Sequence, residues 1–311
     1  MISAMIQAAA GAKRSLSVAA AAAVAQEADA PIRRKKSLLV DGNNALHHFF
    51  DPLSTANVDG VQTSAVDGLF RLLRRMNKSH EPEHISVVFD SKERPTTRRI
   101  IQPTYKSDRN PTPDSLTPQF AYARKVLQEA NINCIDRPGF EADDIIASYA
   151  TQYAAAGFDV LLISNDNDFL QLVHDATADN DTEKSGNNVC ALGTVELYQP
   201  SKRRYIRERN VRGRFGLHPA MLPDFHALCG HQWKNIPRVE SLADEVAVEL
   251  LTNYSGLLPL LRQLDTLENP GLSKNLKQSI GLIESSYRMV KLDRSIALPV
   301  AIVELQRPQL S

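Results

Sequence analysis

Cysteine is scarce in this chain. Cys134, Cys190 and Cys229 are its only three; they are far apart, odd in number, and no CxxC pair occurs. That argues against a disulfide scaffold or a thiolate zinc site and fits a reducing compartment. Net charge is absent too: 36 Lys and Arg balance 36 Asp and Glu. A protein that holds nucleic acid by bulk charge is usually basic, so any such binding here must come from local patches. No apolar run is long enough to span a bilayer, and there is no internal repeat. Acids are missing from residues 1–26, which are rich in alanine and carry Lys13, Arg14, Ser15 and Ser17. Such a start reads as an organelle transit peptide. The run Leu16 to Ala25 also fits the apolar region of a secretory signal, and the whole stretch fits a disordered tail. On each reading residues 1–35 stand outside the fold.

What is present is an alternation of short apolar runs and amphipathic stretches. SLLVDGNN (37–44), HISVVFD (84–90) and FDVLLIS (158–164) read as buried strands, with a shorter one at 132–135. Residues 64–78, 117–130 and 141–157 read as helices, the last with acids in its first turn and a glycine stop. Residues 91–116 are basic and rich in Pro and Thr, and read as a long loop or loosely helical excursion. Residues 176–188 read as a polar loop. After Pro200 the chain turns basic and then helical to its end. The pattern predicts an α/β fold with a mostly parallel central sheet flanked by helices over 36–200, followed by a helical region over 201–311.

Three of the strands run into aspartate: Asp41, Asp90 and, two residues past the strand, Asp166. In an open parallel sheet ligands bind outside the carboxyl ends of the strands, so these acids are expected to gather. The helix bearing Glu141, Asp143 and Asp144 should begin at the same edge, and Asp168 follows Asp166 closely. Carboxylates this crowded raise one another's pKa unless a counter-charge intervenes. A hard divalent cation with oxygen ligands, magnesium or manganese, is the usual remedy and suggests metal-assisted hydrolysis of a phosphate ester.

These motifs carry a specific resemblance. LLVDGNN (38–44), VVFDSK (87–92), TYKSDRNPTP (104–113), GFEADDIIAS (139–148), LLISNDNDFLQLV (161–173), FGLHP (215–219) and KNIP (234–237) occur in the order and spacing of the 5′–3′ exonuclease domain of bacterial DNA polymerase I. That domain lies within the flap endonuclease family, with its PIN-like, resolvase-like fold. The resemblance implies a helical arch, a C-terminal helix-hairpin-helix region, and structure-dependent cleavage of DNA with two divalent metals. It implies that Asp41, Asp90, Glu141, Asp143 and Asp144 form the first metal group, and that Asp166 and Asp168 are half of the second. It assigns Lys106 and Arg109, with Arg98 upstream, to the scissile phosphate. The neighbouring Lys92 and Arg99 are expected to meet nucleic acid.

The chain also departs from that pattern. The family completes its second metal group with two aspartates in GDxxDNIPG, where this chain has GHQWKNIPR (230–238), placing His231 and Lys234 at those positions. The glycine-rich PGIG hairpin is replaced by Glu240, Ser241, Leu242 and Ala243, which makes close backbone approach to a duplex harder. His47 and His48 stand where the family commonly has Tyr and Arg. KRRYIRERNVRGR (202–214) supplies a basic patch, with Lys202, Arg203, Arg204 and Arg207 as candidate phosphate contacts. Two readings follow. The first is a divalent-metal-dependent 5′ nuclease acting on a 5′ flap, nick or RNA–DNA primer junction in organellar DNA. It would be mitochondrial first and plastid second, monomeric, and matched to an organellar DNA polymerase. The second is a catalytically weak or inactive paralogue that binds nucleic acid or serves an assembly.

Overall fold

In the computed structural model, residues 34–91, 93, 97–103, 105, 111–176 and 192–310 are described. The expectations for residues 1–33, Lys92, Lys106, Arg109, most of the 176–188 loop and Cys190 lie outside them. β1 (Lys36–Asp41) is followed by a helix, Gly42–Phe49, and a small antiparallel hairpin, β2 (Asn57–Val58) with β3 (Val61–Gln62). Its turn is Asp59-Gly60, both with positive φ, a conformation that favours this dipeptide. Helix Ser64–His80 leads to β4 (His84–Val88), and helix Thr117–Glu129 to β5 (Asn133–Ile135). Helix Ala142–Ala155 leads to β6 (Asp159–Ile163), followed by β7 (Val195–Gln199) and β8 (Arg204–Ile206). Among its described residues, the excursion at 91–116 contains a short helix, Thr97–Ile101.

The six-stranded sheet has the order β5-β4-β1-β6-β7-β8. All neighbours are parallel except β7 and β8. Leu38, Leu39 and Val40 of β1 are fully buried. The alternation of side chains explains why no polar residue interrupts them. Leu39 joins the core under helix Ala142–Ala155, while Leu38 and Val40 join the core under helices Gly42–Phe49, Ser64–His80 and Thr117–Glu129. The chain runs from β1 to β4 and β5 on one side and then crosses to β6 and β7 on the other. This switch leaves a crevice at the carboxyl ends of β1, β4 and β6.

Two sequence expectations need correction. The boundary placed at residue 200 does not interrupt the sheet, because β8 lies beyond it and Ile206 is buried in the α/β core. Nor is the chain helical to its end. Helix Ile280–Val290 is the last long one, and residues 291–310 form neither helix nor strand apart from the short turn Ile302–Glu304. This segment returns to the α/β layer: Leu292 and Leu305 enter its core, and the Tyr149 hydroxyl donates to the Val300 carbonyl at 2.7 Å. Between these, helices Leu222–Cys229, Asp244–Asn253 and their successors close a separate core around Leu228, Val239, Leu251 and Ile283. No helix among the described residues is long and apolar enough to cross a membrane.

Candidate metal centre

Asp41 ends β1 and caps the helix that follows, its Oδ1 accepting the Asn44 amide at 2.9 Å. Its Oδ2 accepts the Ser164 hydroxyl from the end of β6, also at 2.9 Å. Asp90 follows β4; its amide donates to Asn43 Oδ1 and its Oδ1 accepts the Ala142 amide at 2.9 Å. That contact sets a carboxylate at the start of helix Ala142–Ala155, where the backbone dipole favours negative charge. Asp166 follows β6 and caps the turn Asn167–Leu172 by accepting the Asp168 amide at 2.8 Å. Asn44 Oδ1 in turn holds the Asn165 amide at 3.0 Å, joining the β1 and β6 ends.

These elements border an open cavity of about 630 Å³ lined by Asp41, Asn43, Asn44, His47, Asp90, Asp143 and Asp166, together with Pro111 and Thr112. Asp143, Asp166 and Asp168 each present an oxygen within 4.8 Å of the others. Every donor is oxygen, the set a hard divalent cation requires. Burial pushes the Asp41 carboxyl up to about 7. Its hydrogen bonds from Asn44 and Ser164 oppose the rise, while the charges of Asp166 and Asp90 add to it. A bound cation would reverse that balance, so the residues fit a metal.

The sign of this effect gives a test. The folded chain holds the Asp41 proton more tightly than an unfolded carboxyl near 3.8 does. The stabilisation it contributes is full below that value and is lost as pH rises through about 7. Without metal, Asp41→Asn is expected to raise Tm at pH 8 by about 5 °C. The gain should shrink towards pH 4, as read by calorimetry in EDTA.

The sequence grouping of five acids around the first metal is divided by the fold. Asp143 faces the cavity, but Asp144 turns away and is almost fully buried. Arg98 grips it with a fork, Nη2 to Oδ1 at 2.7 Å and Nη1 to Oδ2 at 2.8 Å, and the Asp293 amide adds a third bond to Oδ1. Glu141 Oε2 accepts from the same Arg98 Nη1 at 2.7 Å and from the Tyr105 hydroxyl at 3.3 Å. Asp144 is therefore not a member of the open cluster. Arg98, expected at the scissile phosphate, is only 6% exposed and committed to these carboxylates. Arg99, beside it, is half-buried.

At the second metal position, the Lys234 Nζ lies 2.5 Å from Asp168 Oδ2, and His231 Nε2 lies 3.7 Å from Oδ1. Burial would raise the Asp168 carboxyl, but Lys234, with smaller help from His231 and His226, holds it below the usual range. The loop bearing these residues is closed by paired backbone bonds between His231 and Ile236, at 2.9 and 3.1 Å. Gly230 opens it with φ +79°, and a Cβ there would stand 2.7 Å from the Ile236 carbonyl oxygen. Gly230→Ala is expected to cost about 1–3 kcal/mol in urea denaturation.

Of the basic patch, Lys202 and Arg203 are exposed in the turn after β7, and Arg204 is exposed at the start of β8. Arg207 pairs with Glu196 at 2.6 Å. The turn is tied to the acids through the Ser201 amide, which donates to Asn165 Oδ1 at 2.9 Å. His47 lines the cavity and meets the Phe120 ring edge-on; His48 packs on Phe49. In the replaced hairpin, Ser241 holds the left-handed conformation at φ 56°, and the Glu240 carbonyl accepts from the Asn275 amide. The residues that sequence reading passed over are Asn43, Asn44, Ser164 and Asn165. They hold the aspartates in place, and their one sequence signal is adjacency to Asp41 and Asp166.

A mostly parallel sheet with a carboxylate-lined cavity at its carboxyl edge is the arrangement of a metal-dependent nuclease. Residues 36–203 match the 5′–3′ exonuclease N-terminal resolvase-like domain, and residues 217–311 match the 5′–3′ exonuclease C-terminal SAM fold. The chain belongs to the 5′–3′ exonuclease family, a family of nucleases. It is 30% identical over 282 residues to a 5′–3′ exonuclease of Aquifex aeolicus, covering 89% of each chain. It is also 30% identical over 276 residues to DNA polymerase I of Bacillus subtilis, covering 88% of this chain but 30% of that one. The fold resembles that of T5 D15 protein co-crystallised with metal ions, with a TM-score of 0.64 and 20% identity over 83% of this chain and 90% of that one.

Proposed function

We propose that the chain is a divalent-metal-dependent 5′–3′ exonuclease or flap endonuclease that hydrolyses DNA phosphodiester bonds in organellar replication or repair. The observation that carries this reading is the single cavity shared by Asp41, Asp90, Asp143 and Asp166. Those four would hold magnesium or manganese, which when bound supplies an activated water and neutralises charge at the phosphate. Ser164, Asn43 and Asn44 keep Asp41 and Asp90 aimed at the cavity through the bonds above. The acid-poor, alanine-rich N-terminus supports a mitochondrial address, with plastid second. The names of the polymerase relatives support an organellar DNA polymerase as partner to a monomeric nuclease.

Lys202 and Arg203, exposed beside the Asp166 end of the sheet, are suited to meeting backbone phosphates. Lys202→Glu with Arg203→Glu is expected to weaken flap binding about tenfold or more at low salt. It should also flatten the salt dependence by about two charges in fluorescence anisotropy. Lys106, Arg109 and Lys92 enter this proposal through the resemblance alone.

The ion pair of Lys234 with Asp168 favours a second reading, a weak or inactive paralogue. Single-turnover cleavage of 5′-flap, nicked and single-stranded DNA, and of RNA, separates the two. Cleavage that needs Mg²⁺ or Mn²⁺ and prefers flap DNA supports the first. Binding without cleavage in either metal sinks it.

A further inference from the structure

Two carboxylate groups overlap at the sheet edge. Asp41, Asp90, Asp143 and Asp166 line the open cavity, while Asp143, Asp166 and Asp168 bring three oxygens within 4.8 Å of one another. The second group already has a cation in contact: the Lys234 ammonium at 2.5 Å from Asp168 Oδ2. Both side chains are nearly buried, at 11% and 9% exposure. A charged lysine in such surroundings is retained only where a carboxylate offsets its desolvation.

The lysine is also held in place. It ends a short turn, Gln232–Lys234, whose amide donates to the His231 carbonyl at 3.0 Å. Asn235 follows in the left-handed conformation, and the His231–Ile236 pair closes the loop. Val239 and Leu242, just beyond, are buried in the core of the helical region. The ammonium is delivered by a closed loop anchored to a hydrophobic core, and Lys234 is not among the residues lining the open cavity.

We propose that Lys234 is a tethered counter-cation that takes the place of a second metal ion beside Asp168, so that the chain works with one bound divalent ion. The ammonium already supplies part of the charge compensation at this edge: together with one divalent ion in the open cavity it brings the five aspartates from −5 to −2. A second divalent ion would have to displace an ammonium from a 2.5 Å contact inside the protein. Lys234 acts as a positioning residue: it fixes Asp168, whose amide in turn holds Asp166 Oδ1.

The inference rests on the nuclease reading, and its test is chosen to fail separately. Bound Mn²⁺ is counted by equilibrium dialysis with electron paramagnetic resonance on the full chain, in wild type, Lys234→Asp and Lys234→Met. Flap cleavage is measured in parallel. Wild type is expected to hold one ion and to cleave. Lys234→Asp is expected to hold two, and Lys234→Met to gain a second, weaker ion at the freed Asp168. Retained near-ultraviolet circular dichroism checks that each variant folds. A wild type that cleaves while holding two ions overturns the inference and leaves the nuclease reading standing. So does a folded Lys234→Asp that still holds one, the result expected if the ion pair merely docks the loop. No bound ion and no cleavage in wild type overturns both.

Discussion

Asp143→Asn is expected to lower metal-dependent cleavage by more than about 100-fold and to weaken Mn²⁺ binding, with little change in Tm. Asp143, like Asp166, belongs to both carboxylate groups, lining the open cavity and standing in the cluster within 4.8 Å, and it is the cleaner test because Asp166 also caps the turn Asn167–Leu172. Asparagine keeps its size and one oxygen but removes the charge. A nuclease that depends on the ion therefore loses rate, while the fold loses a source of like-charge repulsion. Asp168→Asn should behave differently. It strips Lys234 of its partner and leaves a nearly buried ammonium, so stability falls along with rate. Equal cleavage by Asp143→Asn and wild type would remove the cavity from the mechanism.

The second large effect is expected at Arg98, in stability. Arg98→Met leaves Glu141 and Asp144 facing each other in a buried site without the guanidinium that joins them. Breaking a buried pair from one side costs about 3–5 kcal/mol, or roughly 10 °C in Tm for a chain of this size. Burial works against the charge on Arg98, but hydrogen bonds and attraction from Asp144 and Glu141 outweigh it and raise its pKa, so it stays charged throughout the accessible range. The C-terminal segment should loosen with it, since the Asp293 amide is bonded to Asp144 and Gln171 ties the Leu292 amide at 3.0 Å. If Arg98 served the phosphate directly, Arg98→Met would leave Tm unchanged and lower only the rate. A melting curve and a cleavage assay on the same preparation distinguish these outcomes.

The contrast between Asp143 and Asp144 marks where sequence reading reached its limit. Successive positions on a helix point about 100° apart. Two neighbouring aspartates in one first turn therefore serve different surroundings, one the open cavity and the other the buried Arg98. A linear motif carries no sign of which is which. Strand-end aspartates were legible because each follows an apolar run, and strand polarity alone puts Asp41, Asp90 and Asp166 at one edge. The return of residues 291–310 was not legible. It is fixed by scattered contacts such as Tyr149 with Val300 and Gln309 with Ala130, which leave no period. β8 was hidden because its three residues sit inside an arginine-rich run whose charge dominates the reading. The exchange at Lys234 was visible only by comparison with the family motif. Its consequence, a cation seated on Asp168, needed the loop closure between His231 and Ile236 to be seen.

The seat of the divalent ion is the point on which the whole account turns. Crystals soaked in MnCl₂ and measured at the manganese absorption edge should show an anomalous peak inside the cavity, about 2.0–2.3 Å from carboxylate oxygens drawn from Asp41, Asp90, Asp143 and Asp166. Lys234 should remain on Asp168. A cavity without a peak, or a peak seated between Glu141 and Asp144 with Arg98 displaced, would contradict it.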